Sequence, residues 1–319
     1  MQFVETDLDR LGRRGAVEAM RGFLRASAEG QALSPPRAAF HLGARRMVFT
    51  VGADVAAGVM GFRLYSLAKD AEPGPGPSQV LGLLDLHTGQ VLATAVGDAF
   101  GAWRTAALGA VAFEEAVRGR GRVDVAALGC GRQAWHALRT WAALDLVARV
   151  RVCARHLDEA RAFAAELSRD TGLEVVPVAS PKEAVSGAQA VLCATPSLTP
   201  IFDAADLALD AFVASLGPKC GRGAEVPAGV YAKASFLFTD APSQLLELEA
   251  SRGCLPGGRH ASEVHPLSDV VAGQTPMPSG GLRLFLAEGL PGTEVALLEA
   301  LRRTYPECVG AARPSPAPA

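Results

Sequence analysis

Apolar and polar positions repeat with two different periods in the first 120 residues. Residues 8–29 place apolar side chains at helical spacing, which predicts an amphipathic helix. After Pro35-Pro36, short alternating segments predict a run of strands. These strands span 38–42, 46–51, 59–66, 79–85 and 91–95, and the last two form a hairpin. A second helix is predicted over 102–118.

Beyond residue 122 strands alternate regularly with helices, such as those predicted over 135–146 and 156–169. The strands are expected at 123–128, 149–153, 174–178, 189–194, 211–216 and 235–239. This order predicts an α/β fold with a Rossmann-type, doubly wound parallel sheet. Residues 283–305 predict a last helix-rich stretch. Residues 71–77 are expected to form a surface loop, and 311–319 a disordered Pro/Ala tail.

Composition excludes several classes of function. The 319 residues are 49% hydrophobic and 20% charged, which allows two packed domains. A net charge of −2 argues against nucleic acid or an anionic membrane as a partner. No apolar run is long enough to span a bilayer, and the start lacks a secretory signal. The histidines and cysteines lack metal-ligand spacing, so no metal is expected, and scattered free thiols suit the cytoplasm.

One turn carries the strongest chemical signal. An apolar strand over 123–128 runs directly into Gly129-x-Gly131-x-x-Ala134, and a helical segment follows. The first glycine permits a tight turn, the second lets the backbone approach a pyrophosphate, and Ala134 allows close helix packing. The helix N-terminus offers free N–H groups to phosphates. This order predicts a dinucleotide-binding site.

The end of the next strand predicts which dinucleotide is preferred. An NAD-specific site normally has an acid there, which accepts hydrogen bonds from the ribose. Here the strand ends Val152-Cys-Ala-Arg155-His156, without an acid. Arg155 is suited to a 2′-phosphate, and Arg132 in the glycine-rich turn is placed to assist. We therefore expect a preference for NADP(H) over NAD(H).

Several short motifs together resemble the ornithine cyclodeaminase/μ-crystallin family over nearly the whole chain. The matching segments are Pro36-Arg37, Gly61-Phe62-Arg63, Leu84-Asp85 with Thr88-Gly89, Arg104-Thr-Ala-Ala107, Gly129–Ala134, Ala194-Thr-Pro-Ser197, and Leu284-Phe285 with Gly289. The resemblance implies a dimeric, NAD(P)-dependent enzyme that acts at the amino- or imine-bearing carbon of a carboxylate. It also implies a discontinuous α+β domain for substrate binding and dimerisation (1–120 and 266–319), with the Rossmann domain at 121–265.

The resemblance assigns roles to individual residues. Substrate binding falls to Arg37, Arg63 and Arg104, whose guanidinium groups can grip a carboxylate with paired hydrogen bonds. A cation near a helix N-terminus opposes the macrodipole, so Arg104 is expected to need an anionic partner. Residues assigned to the cofactor are Gly129, Gly131, Arg132, Gln133, Ala134, Arg155, Thr105, Thr195, Pro196 and Gly289.

Two positions depart from the family pattern. Arg63 replaces a lysine, and Lys219 replaces an aspartate that serves as general base or orients the substrate amine. We assign catalysis to Lys219 and Arg63. Lys219 would repel an ammonium substrate, which disfavours cyclodeamination of ornithine. It could instead bind an extra acidic group, donate a proton to an imine nitrogen, or be a solvated loop residue in an inactive site.

The sequence thus favours a homodimeric NADP(H)-dependent oxidoreductase, an imine reductase or amino-acid dehydrogenase, that reduces a C=N bond next to a carboxylate. The four cations at 37, 63, 104 and 219 favour an anionic or neutral imine. Two alternatives remain open. One is a catalytically weak, NADPH-dependent small-molecule binding protein, and the other is a cyclodeaminase or amino-acid dehydrogenase with altered specificity. The sequence does not identify the substrate.

Overall fold

The computed structural model describes residues 1–68, 78–219 and 223–305. The predicted loop at 71–77 and the predicted tail at 311–319 lie outside these ranges. The first half of the chain builds a mixed sheet and two long helices. Its elements are β1 (Gln2–Val4), α1 (Leu8–Ala28), β2 (Ala32–Leu33), β3 (Ala38–Leu42), β4 (Arg45–Asp54), β5 (Val59–Ala68), β6 (Gln79–Asp85), β7 (Val91–Gly97) and α2 (Phe100–Val117).

This first sheet has the strand order β1-β7-β6-β5-β4-β2, with β3 also paired to β4. Only β1 runs parallel to its neighbour, and the other pairs are antiparallel. The predicted strands and both predicted helices are confirmed. The alternation along β6 explains this success, because Leu81 and Leu83 are buried on one face and Val80 is exposed on the other.

The second half alternates strands and helices. Its elements are β8 (Val123–Leu128), α3 (Arg132–Ala142), β9 (Val147–Cys153), α4 (Leu157–Thr171), β10 (Glu174–Pro177), α5 (Pro181–Val185), β11 (Ala190–Cys193), β12 (Phe212–Ser215), α6 (Ala228–Lys233), β13 (Phe236–Thr239), α7 (Pro242–Arg252), β14 (His265–Pro266), α8 (Leu267–Val271), β15 (Arg283–Leu286) and α9 (Thr293–Arg303). All pairs in this sheet are parallel. The predicted α/β, Rossmann-type class is confirmed.

The strand order of this second sheet is β10-β9-β8-β11-β12-β15-β13-β14. It contains one element that the sequence pattern misassigned. The stretch 283–305 was expected to be helical, but β15 inserts between β12 and β13 and α9 begins only at Thr293. A buried run of four residues carries no periodicity that separates a strand from a helix. The predicted domain boundary at 265/266 stays a prediction, and β15 lies beyond it within the parallel sheet.

Helix α2 joins the two sheets. Nearly every residue of α2 is buried, because it packs against α1, α3, α9 and β12. Helix α9 then returns to the first sheet and packs on β4, β5 and β6. The carboxyl ends of the parallel strands therefore face residues of the first sheet, which positions the site described below. Within the described ranges, no helix is both long and apolar enough to cross a membrane. The cytoplasmic location stays a prediction.

Candidate active site

The glycine-rich turn has the conformation that its sequence predicts. Gly129 follows β8 directly and has a φ of 105°, which L side chains rarely adopt. A Cβ atom at Gly129 would lie 2.4 Å from the carbonyl oxygen of Ala194, whereas a Cβ at Gly131 would meet no atom within 4 Å. The protein itself therefore requires Gly129. Gly131 instead keeps space open at the N-terminus of α3, which begins three residues earlier than expected, at Arg132.

A cavity of about 680 Å³ lies against this turn. It is bounded by the carboxyl ends of β8, β9 and β11, where open parallel sheets bind their ligands. Six of the residues that line it are Gly129, Gly131, Arg155, Thr195, Pro196 and Ser197. The cavity's size and its glycine-bounded entrance fit a dinucleotide cofactor. The structure thus brings together, at this cavity, five of the ten residues that were expected to bind the cofactor.

The charged groups around the cavity differ from the expectation in two ways. Arg155 is exposed and lines the cavity, with no hydrogen bond or ion pair to any other described residue. Arg132 is already engaged, because its Nη2 atom donates to Asp98 Oδ1 at 2.9 Å. Glu159, in the first turn of α4, also lines the cavity. Glu159 was not predicted, because an acid was expected only at the end of the strand.

The remaining predicted cofactor residues fall into two groups. Gln133 is exposed beside the turn, and Ala134, in the first turn of α3, is fully buried, as close helix packing requires. Thr105 and Gly289 do not line the cavity. The hydroxyl of Thr105 donates to the carbonyl of Gly101, four residues earlier in α2, at 2.8 Å. Gly289 lies beside Arg104, since a Cβ there would be 3.1 Å from Arg104 Nη1.

Arg63 and Arg104 converge on one buried carboxylate. Arg63 Nη1 lies 3.1 Å and Arg104 Nε 3.2 Å from the same oxygen of Glu294, Oε1. Burial alone would raise the pKa of Glu294, but the charges of Arg63 and Arg104 outweigh it and hold this pKa below its ordinary value. Two guanidinium groups and one carboxylate give a net charge of +1. We call these three residues the Arg–Glu–Arg cluster.

The sequence predicted that Arg104 needs an anionic partner, and the structure provides one within the chain. Helix α2 begins at Phe100, two residues earlier than predicted, so Arg104 lies in its second turn. Glu294 supplies the anion. Arg104 Nη1 also donates to the carbonyl of Leu290 at 3.3 Å. Sequence reasoning missed Glu294 because nothing in its neighbourhood distinguishes it from the other acids of a helix.

Polar groups of the Arg–Glu–Arg cluster remain incompletely satisfied. The Nε atoms of Arg63 and Arg104 and both carboxylate oxygens of Glu294 are buried without a hydrogen bond of normal geometry to any described residue. Burial lowers the pKa of Arg63, and the neighbouring Arg104 charge lowers it further, while Glu294 opposes both effects. A buried excess of positive charge is stabilised by one further anion.

Lys219 is buried, with 6% of its surface exposed. Its Nζ atom donates to the carbonyl of Gly217 at 2.7 Å and lies 3.8 Å from Glu288 Oε1. The alternative in which Lys219 is a solvated loop residue is therefore wrong. Burial raises the pKa of Glu288, with Asp240 adding to the increase, although Lys219 and Arg37 oppose it.

The loop 288–290, directly after β15, is fixed from two sides. Asp240 accepts hydrogen bonds from the backbone N–H groups of residues 288, 289 and 290 at 2.8, 2.9 and 3.2 Å. Arg37 Nη2 donates to the carbonyls of Glu288 and Gly289 at 2.9 and 3.3 Å and to the side chain of Gln244. Asp240 directly follows β13, a strand that was predicted correctly, so its place at a strand end could have identified it as a candidate site residue. Glu288 follows a strand that was not predicted.

The electrostatic expectation for this region needs correction. Four cations with no carboxylate among them were expected to create a strongly positive pocket. The structure adds Glu288, Glu294 and Asp240, which all lie within hydrogen-bond or ion-pair distance of the cations or the loop they hold. With every group charged, four cations and three anions leave a net charge of +1. The region still favours an anionic ligand, but by less than expected.

Two sets of contacts connect this region with the nucleotide cavity. The first runs through the side-chain amide of Gln79. Its oxygen accepts from the N–H of Gly101, which lies next to Arg63, and its NH2 group donates to the carbonyl of Asp98. The side chain of Asp98 in turn binds Arg132. A second link is Glu225, whose fully buried carboxylate accepts from Thr195, Ser215 and Gly217. These four hydrogen bonds measure 2.8, 2.8, 3.1 and 2.6 Å. The sequence analysis missed Glu225 as well.

The described residues contain no group of three or more His, Cys, Asp or Glu side chains arranged to hold a metal ion. The expectation that no metal is used stays a prediction.

Solved structures show the same overall arrangement. One is a probable ornithine cyclodeaminase from Bordetella pertussis Tohama I, with 21% identity, a TM-score of 0.85, and coverage of 100% of this chain and 99% of that one. A second is the iminosuccinate reductase of Paracoccus denitrificans in complex with NAD⁺, with 21% identity, a TM-score of 0.84 and 96% coverage of each chain. A third is the Δ1-pyrroline-2-carboxylate reductase of Thermococcus litoralis in complex with NADH and L-proline, with 20% identity, a TM-score of 0.82, and coverage of 96% and 98%.

At these identities the solved structures establish the fold. The sequence profile of the ornithine cyclodeaminase/mu-crystallin family matches residues 4–304, which is nearly the whole chain. The matched range includes the residues of both the nucleotide cavity and the Arg–Glu–Arg cluster. The chain therefore belongs to the ornithine cyclodeaminase/mu-crystallin family.

Proposed function

We propose that this protein is an NADP(H)-dependent oxidoreductase that reduces a C=N bond next to a carboxylate. The observation that carries the proposal is the Arg–Glu–Arg cluster, a buried site with a net charge of +1. It is connected by α2 and Gln79 to a cavity that fits a dinucleotide. A substrate carboxylate supplies the anion that the cluster lacks, which fixes the adjacent carbon toward the cofactor.

The chain's own residues would bind and orient both reactants. The open N-terminus of α3 beside Gly131 would hold the cofactor's phosphates. When bound, a reduced nicotinamide supplies the hydride. Arg63 and Arg104 would bind the substrate carboxylate, and Arg37 would hold the loop 288–290 against it. Lys219 lies near the end of β12, at the same sheet edge.

Two relatives of the same fold support this class of reaction. The iminosuccinate reductase and the pyrroline-2-carboxylate reductase, by their names, both reduce a C=N bond in a molecule that carries a carboxylate. The direct test is to incubate the purified protein with NADPH and a panel of α-imino acids, or α-keto acids plus amines, and to follow absorbance of the reduced nicotinamide. Consumption with at least one carboxylate-bearing imine is expected. Saturable NADPH binding without consumption for the whole panel would contradict an enzymatic function.

That second result would favour the alternative of a cofactor-dependent binding protein. The observation behind this alternative is Lys219, which stands where the family pattern has an aspartate. A cyclodeaminase or amino-acid dehydrogenase is the other alternative, and oxidation of an amino acid with NADP⁺ in the reverse assay tests it. Reduction is the direction that the proposal favours, because the net charge of the site disfavours a second protonated amine.

The preference for NADP(H) rests on Arg155. Its guanidinium lines the cavity without another described partner, so it can pair with a 2′-phosphate. Glu159 lines the same cavity and would instead accept hydrogen bonds from the ribose hydroxyls of NAD(H). The Kd values of NADPH and NADH for the unmodified protein and for Arg155→Ala and Glu159→Gln separate the two. NADPH is expected to bind more tightly, by about tenfold, and Arg155→Ala to remove the difference. Tighter binding of NADH at moderate salt would contradict this.

We further propose a homodimer formed through the outer face of the first sheet. Val4, Val96 and Val80 lie side by side on β1, β7 and β6, and all three are exposed. A row of exposed apolar side chains across three strands marks a protein contact. Light scattering should give the mass of two chains, and a Val80→Glu/Val96→Glu variant should give one. A monomeric unmodified protein would contradict the proposal.

A further inference from the structure

Among the described acids of this region, Glu288 is the one whose carboxyl group neither accepts hydrogen bonds from backbone N–H groups nor pairs with two arginines. Its backbone is fixed, because its N–H donates to Asp240 Oδ1 at 2.8 Å and its carbonyl accepts from Arg37 Nη2 at 2.9 Å. Its side chain is 16% exposed and points to Lys219, whose Nζ is 3.8 Å from Oε1. This distance allows charge attraction but no hydrogen bond.

The Oε1 atom of Glu288 is buried and has no hydrogen-bond partner among the described residues. A buried carboxylate oxygen without a donor is costly, and a bound proton or a donor on a ligand removes that cost. Lys219 cannot easily move closer, since its Nζ is held by the carbonyl of Gly217 at 2.7 Å. Glu288 therefore has a fixed position and an available oxygen.

The location of Glu288 matches the proposed substrate site. The next residue, Gly289, lies so close to Arg104 that a Cβ would be 3.1 Å from Nη1. Glu288 directly precedes it, at the carboxyl edge of the parallel sheet where β12 and β15 end. In an α-imino acid the nitrogen is only two bonds from the carboxylate carbon. Glu288, which is next in sequence to the glycine that lies beside Arg104, is thus well placed to meet that nitrogen.

We propose that Glu288 is the proton donor to the imine nitrogen and that Lys219 stabilises the carboxylate that remains. This inference rests on the proposed function. The imine carbon gains the hydride and its two electrons, and the C=N π pair moves onto nitrogen. The nitrogen then forms its N–H bond with the proton of Glu288, while the nicotinamide is oxidised. The carboxylate of Glu288 regains a proton from water, which closes the cycle.

The surrounding charges suit this role. Burial raises the pKa of Glu288, and Asp240 raises it further. Lys219, Arg37 and, from the end of α7, Arg252 oppose this increase without cancelling it. A raised pKa favours the protonated carboxyl that a proton donor needs, and the lysine lowers the energy of the product carboxylate.

Three variants test the proposal. Glu288→Gln keeps the size and removes the proton, so kcat for imine reduction should fall by about a hundredfold or more, with KM changed by less than about threefold. In the unmodified protein kcat should fall as pH rises through the pKa of Glu288. This decrease of kcat with pH should be absent in Glu288→Gln and present in Glu288→Asp. Lys219→Met removes a charge that lowers the pKa of Glu288, so the decrease should occur at higher pH. Glu247→Gln, on the exposed side of α7, is the matched control and should behave as the unmodified protein.

An infrared titration of the protein without substrate gives an independent reading. A protonated carboxyl band should disappear as pH rises, and it should be absent from Glu288→Gln. If kcat of Glu288→Gln still decreases with pH, or if the infrared titrations of Glu288→Gln and the unmodified protein are equal, the assignment to Glu288 is overturned while the proposed function stays intact. If the unmodified protein reduces no imine at all, the proposed function and this inference both fail.

Discussion

The nucleotide cavity and the Arg–Glu–Arg cluster are built in opposite ways. The cavity lies against the turn within Gly129–Ala134, a stretch of six consecutive residues. Strand β8 leads directly into this turn and α3 follows it, so strand, turn and helix are contiguous in the sequence. The cluster joins Arg63 of β5, Arg104 of α2 and Glu294 of α9, which are separated by up to 231 positions. A local site is specified by local conformation, whereas an assembled site depends on how whole elements pack.

This difference has an energetic counterpart. The turn is maintained by backbone conformation, since only glycine fits at position 129. The cluster is maintained by charges that balance each other in a buried environment. Removing one member of such a cluster leaves the others without compensation. Mutations should therefore affect the two regions in different ways, and the predictions below separate them.

Among the changes that separate the two regions, the largest effect is expected at Arg104. Arg104→Ala should lower kcat/KM for a carboxylate-bearing imine by about 30-fold or more, because a lost buried bidentate contact costs about 2–4 kcal/mol. The Kd for NADPH, measured by fluorescence titration, should change by less than about threefold. Arg161→Ala, an exposed arginine paired only with Asp158, is the control. An equal loss of NADPH binding and activity would show that the two regions are not separable.

Two glycines sharpen the comparison within the turn. Gly129→Ala should lower the free energy of unfolding by at least about 2 kcal/mol, because its Cβ would clash with the backbone of residue 194 at a positive φ. Gly131→Ala should change stability by less than about 1 kcal/mol and yet weaken NADPH binding about tenfold, since its Cβ would enter open space. Denaturant unfolding and NADPH titration check both variants. Similar stabilities would contradict the division of roles.

Lys219→Asp tests the charge of the assembled site. The variant should still fold and bind NADPH, and its preference should move toward cationic amino acids by about tenfold, because the local charge is reversed. Relative kcat/KM values for a neutral imine acid and for ornithine and lysine measure this shift. The matched control is Lys233→Asp, the same change at an exposed position. An unchanged profile, or ornithine or lysine as the best substrate of the unmodified protein, would refute this account.

The smallest effect is expected outside the two regions, where α1 contacts α3. Arg13 of α1 lies over the Trp103 ring and is 3.2 Å from Nδ1 of His136 in α3. Burial, followed by the charges of Arg13 and its neighbours, lowers the pKa of His136 from 6.5 to about 4. The folded state thus prefers the neutral ring. The stability it contributes is complete above pH 6.5 and is lost as pH falls toward 4, by about 1–2 kcal/mol after solvent screening.

Unfolding free energies of the unmodified protein and His136→Gln at several pH values measure this contribution. The glutamine oxygen can still accept from Arg13 but does not titrate. The difference between the two curves should be constant above about pH 6.5 and should narrow as pH falls toward 4. Parallel curves would show that His136 does not contribute this pH-dependent stability.

The elements that could be predicted from the sequence are those whose structure depends on the local pattern of residues. The strands of both sheets, α1, α2 and the turn at Gly129 follow from periodicity and glycine spacing. Strand β15 was missed because its four residues are buried on both faces and show no period. Glu294, Glu288 and Glu225 were missed for another reason. Their roles depend on which distant cations and N–H groups face them, and only the packed structure defines those partners.

The central claim is that a buried carboxylate-binding site operates beside the nucleotide cavity. It is tested most directly by comparing NADPH-dependent reduction of a cyclic imine that carries an α-carboxylate with reduction of the same imine without the carboxylate. The account predicts a kcat/KM ratio of about a hundred or more in favour of the carboxylate, which falls to near unity in Arg104→Ala. Equal rates for the two imines, or a ratio that Arg104→Ala leaves unchanged, would contradict it.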